Sequence, residues 1–435
     1  MASIAVLLII LGCAVFQFFK GSIVRALATI IIAIFASIVA FGFFEILADV
    51  LIKRGNSGSM VSLVPWAQAL SFLLLFVLVF AVLQTASVQL CRSKVDFGLL
   101  PERIGRPVLG IILGLIVSGN LMTFLAMAPL PNKYPYERFN PTRIQVDNPK
   151  KVLLNTDGFV SGLFGTISNG SFSGSRSFAG LHPNYLDQLF LNRLDSEVSI
   201  VSGTSPAIEV PQDKAVWPAS EALKTQVEEL NNKGMLSRVP GKPKSSDRLM
   251  IVRVGVKRNA LSSEPKINAG VFTLSQLRLI CKRAGPDSDP LAGKGQNAYP
   301  IGYLKSATEI ETNFKINIRR NDFSEDTSTK NIDFVFAVPG GFTPALVEFK
   351  LNNVVRIPAS AILTDASEAP EPAVYIQSSA EEKENQGQDQ TQQGSRGRGG
   401  RRGQKPQESD ENPPEQNKAE KLTESLTGVQ LDGEL

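Results

Sequence analysis

Histidine and cysteine are scarce in this sequence, whose 435 residues include one His and three Cys. A single imidazole excludes metal sites built from several histidines and any mechanism that needs two imidazoles. Three cysteines cannot form a disulfide framework in a chain of this length. The sequence also lacks a Gly-x-Ser-x-Gly elbow, a Walker A run and an EF-hand loop. We therefore expect a protein without enzymatic chemistry and without a cofactor or metal.

The excess of positive charge is small. The chain has 45 Lys and Arg against 41 Asp and Glu, which gives a net charge of +4 and is too mild to predict nucleic-acid binding. An Arg-Gly run at residues 396–403 could bind RNA or anionic lipid headgroups. The run is short and has no aromatic residue for base stacking. We therefore favour a solubilising low-complexity tail and expect no nucleic-acid partner.

Four long apolar runs lie in the first third of the chain, at residues 4–19, 26–47, 67–88 and 108–130. A helix needs about 20 apolar residues to cross the hydrocarbon core of a bilayer, so these runs predict four transmembrane helices. The first run is short enough to suggest a signal peptide. However, no basic region precedes it and no small-residue cleavage site follows it. We expect a four-span membrane domain over residues 1–130, with the lipid bilayer as its first partner.

Small residues recur every four positions in the fourth run. They are Gly110, Gly114 and Ser118. This spacing places them on one helix face, where a neighbouring backbone can approach closely. The alternative is that glycine is simply common in membrane helices. We favour a packing seam, which could join two spans of one chain or form a homo-oligomer through the fourth span.

Two acidic residues, Glu45 and Asp49, lie four positions apart at the end of the second run and share a helix face. Acids inside a membrane can mark an ion or proton path. The alternative is a helix end that emerges among lipid headgroups before Lys53 and Arg54. We favour that alternative, because no basic residue occurs at a matching depth in the other runs.

Two short motifs accompany these spans. The first is a tight turn between the first two runs, with Lys20, Gly21 and Arg25. The second precedes the glycine-spaced fourth run, with Glu102, Arg103 and Arg106. On these motifs, residues 1–130 resemble the colicin V production protein family (CvpA).

The resemblance implies a multi-pass protein of the bacterial inner membrane, linked to production of the toxin colicin V and without established enzymatic chemistry. Some relatives carry a serine protease domain outside the cytoplasm, so His182 is the residue to consider. It is the sole histidine and could serve a Ser-His-Asp triad. A histidine in a loop before proline is more often a structural hydrogen-bonding residue. A hydrolase using His182 is therefore the lesser alternative.

The remaining chain is more polar and changes character several times. Residues 131–154 read as a linker rich in Pro, Asn and Tyr, and residues 155–247 as mixed loops and short helices. Alternating runs at 249–256, 271–281, 314–318, 332–338 and 345–357 predict a sandwich-like β domain over residues 248–365. Residues 333–338 are expected to form a hairpin arm before the turn at Gly340 and Gly341. Residues 366–435 have the composition of a disordered tail.

Basic residues give a weak orientation signal. Six of them fall in or beside the first and third loops, and five lie on the other side. The bias places those loops inside and the β domain outside the cytoplasm. The sequence thus predicts an inner-membrane protein that anchors an extracytoplasmic binding or scaffolding domain for an unidentified envelope protein or polymer. The alternative is a transporter or export accessory that uses the helix bundle itself.

Overall fold

The computed structural model describes residues 1–20, 22–55, 61–90, 98–170, 177–260, 269–283, 289–323 and 327–377. Gly21 of the first motif and the Arg-Gly run lie outside these ranges. So does the predicted tail from residue 378 onward.

Four helices in the first part of the chain are long and apolar enough to cross a membrane. They are α1 (Ala2–Lys20), α2 (Ile23–Gly55), α3 (Ala67–Leu90) and α4 (Leu99–Met127). The mean hydropathy of their most apolar windows is 2.2 to 2.6, and many of their large side chains face outward, as lipid-facing residues do. Helix α2 continues past the end of its apolar run at residue 47, so its last two turns project beyond the apolar part of the bundle.

The helix directions place one end of the bundle next to the rest of the chain. Ile10 of α1 lies at Gly114 and Ala14 at Gly110, so α1 is antiparallel to α4. The Asn120 side chain of α4 donates a hydrogen bond to Ser37 Oγ of α2 over 2.9 Å, and the order of contacts makes these two helices parallel. The start of α1 and the ends of α2 and α4 therefore lie together.

Short helices follow the bundle. They are α5 (Thr156–Asn169), α6 (Phe178–Leu181) and α7 (Tyr185–Asn192). Helix α5 packs closely on α4 at Gly119, where an added Cβ would collide with the carbonyl of Thr156 and the side chain of Val160. The stretch predicted as a linker, 131–154, is packed in part, since Phe139 and Ile144 are buried.

The β-region is built from short antiparallel strands, with one further helix, α8 (Glu221–Asn232), between β2 and β3. The strands are β1 (Ile208–Glu209), β2 (Val216–Pro218), β3 (Arg248–Lys257), β4 (Ala269–Thr273), β5 (Leu277–Arg283), β6 (Gln296–Ala298), β7 (Pro300–Leu304), β8 (Ile310–Glu311), β9 (Lys315–Arg319), β10 (Thr329–Val338), β11 (Phe342–Phe349) and β12 (Asn353–Arg356).

The described residues form three sheets. The largest has the order β1-β3-β10-β7-β8 with β2 also on β3, the second has the order β12-β11-β5-β6, and β4 pairs with β9. The two larger sheets share one apolar core, to which β3, β10, β5 and β11 all contribute. The predicted fold class, four apolar helices followed by antiparallel sheets, is confirmed.

The expected hairpin at Gly340 and Gly341 is wrong. Strand β10 pairs with β3 and β7, whereas β11 pairs with β5 and β12, so residues 339–341 carry the chain from one sheet to another. Gly341 has φ +78°, which suits a tight turn, but the turn joins strands of different sheets. Alternation along β10 cannot identify its partner, because all residues from Ile332 to Val338 are buried, on both faces of the strand.

Other boundaries differ from the expectations. The run 271–281 is interrupted by a 3₁₀ turn at Leu274–Gln276, and the run 345–357 is divided into β11 and β12. The largest sheet begins at β1, well before residue 248. Residues 366–377, expected in the tail, pack on the sheets: Tyr375 is buried, and its backbone N–H donates to the Leu304 carbonyl over 3.0 Å.

One apolar cluster joins the bundle to the polar part of the chain. Its members include Phe41 and Phe44 of α2, Phe72 of α3, Phe164 of α5, Tyr299 between β6 and β7, and Leu351 between β11 and β12. Residues 1–377 form one compact unit. The end of the bundle and the β-region therefore bury apolar surface against each other, and the polar site described next lies in that contact.

Candidate functional site

A partly buried hydrogen bond connects helix α2 to the polar part of the chain. His182, just after α6, is 5% exposed, and its Nε2 lies 2.5 Å from Oε1 of Glu45. Phe178 and Tyr185 pack against the imidazole, with ring centroids 4.9 and 5.1 Å away. Both aromatic residues also belong to the apolar cluster around Phe41, so the imidazole is held in a fixed orientation.

The other imidazole nitrogen continues the network. His182 Nδ1 lies 2.9 Å from Oε1 of Gln188 on α7, and Gln188 Nε2 donates to Glu348 Oε1 over 2.5 Å. Both ring nitrogens thus face oxygen atoms. Each of these contacts has one donor and one acceptor when both ring nitrogens carry protons, or when Nδ1 and the carboxyl of Glu45 carry one proton each.

A buried ion pair closes the network at the sheet. Arg278 of β5 and Glu348 of β11 are register partners, and Arg278 Nη2 donates to Glu348 Oε2. The same guanidinium donates to the Leu181 carbonyl over 2.7 Å and to Asn297 Oδ1 over 2.6 Å. Burial raises the pKa of Glu348, while the nearby charges of Arg278 and His182 oppose that rise. Glu45, His182, Gln188, Glu348 and Arg278 are called the junction network below.

The junction network can do two things chemically. It ties α2, the loop after α6, α7 and two strands into one set of hydrogen bonds, and its buried charges are costly when one partner is removed. It also forms an unbroken series of hydrogen bonds from Glu45 through His182 and Gln188 to Glu348. Within the described ranges, the imidazole hydrogen-bonds to Glu45 and Gln188. Arg278 Nη2 lies 3.4 Å from Nδ1, but it makes no hydrogen bond there when Nδ1 donates its proton to Gln188.

Two further arginines lie at the end of the bundle. Arg193, 2% exposed, donates to the carbonyls of Leu125 and Ala128 over 3.0 and 3.3 Å and to that of Tyr134, which satisfies the C-terminal end of α4. Burial lowers the pKa of Arg193 to about 10, so it stays charged at neutral pH. Arg138 donates to Asp187 over 2.7 Å, and burial raises the pKa of Asp187 although Arg138 opposes this.

The small-residue face of α4 lies against α1. A Cβ added at Gly110 would be 2.6 Å from the Cα of Ala14, and one added at Gly114 would be 2.6 Å from the Cα of Ile10. Ser118 is fully buried and donates to the Leu115 carbonyl over 3.2 Å. This face is therefore occupied by a helix of the same chain. A homo-oligomer through the fourth span stays a prediction, and it would need another face of α4.

The motif residues lie at the opposite end of the bundle. Glu102 is buried and forms an ion pair with Arg106 one turn later, while Arg103 is exposed. Lys20 is the last residue of α1, and Arg25 lies exposed in the first turn of α2. Gly105, inside the second motif, contacts the side chain of Ile23 beside the first motif. The structure thus brings the two motifs together, although it assigns them no chemistry.

Glu45 and Asp49 have different surroundings. Asp49 is half exposed and lies 3.8 Å from Lys53, as expected at a helix end emerging into solvent. Glu45 instead contacts His182, 137 positions away in sequence. The sequence shows no basic residue at a matching depth in the other spans, which favours the same helix-end interpretation for both acids. The partner of Glu45 comes from outside the spans.

Two cavities border this region and share Asn184, Asp187 and Gln296. The smaller, of about 720 Å³, is lined by many side-chain amides and is called the amide cavity. Its amides are Gln145, Asn148, Asn184, Asn231, Gln296 and Asn297. The larger, of about 1330 Å³, is bordered by α5 and by the ends of β5 and β6, and is called the basic groove. Among the described residues no group of three or more His, Cys, Asp or Glu could hold a metal ion.

Sequence reasoning missed Gln188, Arg278 and Glu348. The one available signal was a charged residue flanked by apolar ones, as in Leu277-Arg278-Leu279 and Val347-Glu348-Phe349. Comparisons with protein-family models, curated proteins and solved structures give no match. The resemblance to the colicin V production family therefore stays a prediction.

Proposed function

We propose that this protein is an inner-membrane protein whose four-helix unit anchors a binding or scaffolding β-region outside the cytoplasm. The observation that carries the proposal is the shared core at one end of the bundle, sealed by the Glu45–His182 contact. A domain on a flexible tether would not need buried contacts with the helices. A rigidly held domain suits a role in presenting a binding surface at a fixed height above the bilayer.

The ends of the helices support the orientation. Lys20, Arg25, Arg103 and Arg106 lie at the end of the bundle opposite the β-region. Positive charge near membrane spans favours the cytoplasmic side, so the β-region would lie on the outer side. This arrangement agrees with the one that the resemblance implies for relatives with an extracytoplasmic domain.

The amide cavity supports binding rather than catalysis. Side-chain amides both donate and accept hydrogen bonds, so they match a polymer rich in hydroxyl or amide groups. Its basic residues, Arg143, Lys242 and Lys244, lie beside Asp147 and Asp247, while its third aspartate, Asp187, is paired with Arg138, so the cavity carries little net charge. A neutral envelope polymer is therefore the partner that we propose for it. A role in colicin V production rests on the resemblance alone.

A pair of fusions tests the orientation. Alkaline phosphatase and, separately, a fluorescent protein are joined after Gln377, with matched fusions after Leu90 at the opposite end of the bundle. We expect phosphatase activity and no fluorescence at 377, and the reverse at 90. Fluorescence at 377 would place the β-region in the cytoplasm and overturn the proposal.

A transporter or export accessory is the second candidate. Asn120 of α4 and Ser37 of α2 form a polar contact between the spans, and Glu45 continues the polar groups of α2 toward the outside. Under this function, Asn120→Leu would abolish the membrane-linked phenotype without unfolding the chain. Under the anchoring function, it would alter stability alone.

A further inference from the structure

The basic groove has an unusual charge balance. Lys151, Arg283 and Lys294 line it, are exposed, and have no ion-pair partner among the described residues. Asp187 is the one acid among the lining residues, and it is already paired with Arg138. Three cations without an ion-pair partner therefore line the groove beside one carboxylate, which Arg138 already pairs, and this balance favours an anionic occupant.

The groove also lies beside the apolar spans. Thr156, where α5 begins, contacts Gly119 of α4, eight residues before α4 ends, a distance of roughly 12 Å along the helix. Leu154 and Phe159, next to that contact, are 66% and 49% exposed. Exposed apolar side chains at this depth suit contact with lipid. Helix α5 therefore begins beside the membrane-spanning part of the bundle and leads to the three cations of the groove.

The face of α5 that lines the groove is open. Gly162 and Gly165 line it, and a Cβ added at either would meet no atom of the described residues within 4 Å. Thr166 and Asn169 also line the groove, near the C-terminal end of α5, and add a hydroxyl and an amide to its lining. This face leaves room for an elongated ligand whose lower part lies along α5.

Two buried polar atoms of the groove lining, Asn155 Oδ1 and the Tyr185 hydroxyl, have no hydrogen-bond partner among the described residues. Tyr185 lines the groove and is 4% exposed, and its hydroxyl makes no hydrogen bond within the described ranges. Burial, together with the charges of Glu45 and Glu348, raises the pKa of Tyr185 well above its usual value, so the hydroxyl keeps its proton. A buried donor without an acceptor is costly, and a ligand that supplies an acceptor would remove that cost.

We propose that the basic groove binds the phosphate-bearing headgroup of an anionic membrane lipid, with Lys151, Arg283 and Lys294 contacting the phosphate and Tyr185 donating to a headgroup oxygen. The proposal rests on membrane insertion of the four helices. It goes beyond the anchoring function by naming a ligand and a site for it.

The test uses the full chain in neutral detergent. Native mass spectrometry measures binding of phosphatidylglycerol, of phosphatidylcholine and of soluble glycerol phosphate. The groove variant is Lys151→Gln/Arg283→Gln/Lys294→Gln, and the control is Lys214→Gln/Lys233→Gln/Arg320→Gln, three exposed cations that do not line the groove. Both variants lower the net charge equally. We expect phosphatidylglycerol binding to weaken at least about tenfold in the groove variant and to stay unchanged in the control.

Tyr185→Phe is the second variant. Because the hydroxyl has no protein partner in the described ranges, its removal is expected to leave the unfolding temperature unchanged and to weaken phosphatidylglycerol binding several-fold. This variant keeps the proposal testable if the triple variant fails to fold.

The other outcomes are distinct. Equal loss in the groove and control variants would mean non-specific attraction to charge, and no loss in either would mean that the groove is not the site; both overturn the proposal. Soluble glycerol phosphate binding as tightly as the lipid would keep a phosphate site but contradict a lipid source. Extraction of the chain from membranes by alkaline carbonate would instead refute the anchoring function itself.

Discussion

Two interfaces of this molecule, the α1–α4 seam and the junction between the bundle and the β-region, use opposite chemistry. Between α1 and α4, Gly110 and Gly114 let two backbones touch, and the surrounding side chains are apolar. Between the bundle and the β-region, the junction network buries charged and polar groups inside an apolar cluster. In lipid, close packing stabilises helix pairs without a hydrophobic driving force. At the junction, buried charges specify one arrangement because each needs its partner.

The comparison predicts the largest effect at the junction. Arg278→Leu leaves Glu348, which is fully buried, without its cation, and should lower the free energy of unfolding by about 3–5 kcal/mol. Unfolding of the full chain is followed by denaturant titration in detergent. Lys224→Leu, which removes an exposed partner of Glu221, is the control and should cost at most about 1 kcal/mol. Similar losses for the two variants would contradict the buried role of Arg278.

A smaller effect is expected at the helix seam. Gly114→Leu forces α1 away from α4, because the added Cβ meets backbone rather than a movable side-chain end, and should cost about 1–3 kcal/mol. Gly12→Leu on α1 is the matched control, since a Cβ there meets nothing within 4 Å. Both are compared by denaturant titration and by particle size in detergent. A change of oligomeric state at unchanged stability would show that the glycine face joins two copies instead.

The smallest effect is expected at Asp49. Its ion pair with Lys53 is exposed and spans 3.8 Å, so Asp49→Asn should change the free energy of unfolding by less than about 0.5 kcal/mol. Glu45→Gln, one turn earlier, should cost clearly more, because Glu45 faces a buried imidazole. The same titration measures both. Equal effects would mean that the two acids share one environment after all.

The sequence predicted what depends on local composition. Apolar runs locate α1 to α4, although α2 ends about two turns later and α4 begins about two turns earlier than its run, and period-two alternation locates β3 and β9. Spacing of four was enough to mark Gly110 and Gly114 as a face that could allow close approach. These features depend on residues that are close in sequence, so patterns in one sequence are enough to predict them.

The junction network depends on distant pairings and could not be predicted in this way. Glu45 and His182 are 137 positions apart, and Arg278 meets Glu348 because β5 pairs with β11. The pattern around Gly340 favoured a hairpin that would have paired β10 with β11. Burial on both faces of a strand erases the alternation that would have indicated its neighbours.

The most direct test of a rigidly held β-region is the coupling between Glu45 and His182. A double-mutant cycle with Glu45→Gln and His182→Gln is measured by denaturant titration of the full chain. We predict a coupling free energy of about 1.5–3 kcal/mol, as for a buried hydrogen bond to a charged group. Additive effects, with a coupling free energy below about 0.5 kcal/mol, would contradict the claim that the Glu45–His182 hydrogen bond holds the β-region on the helices.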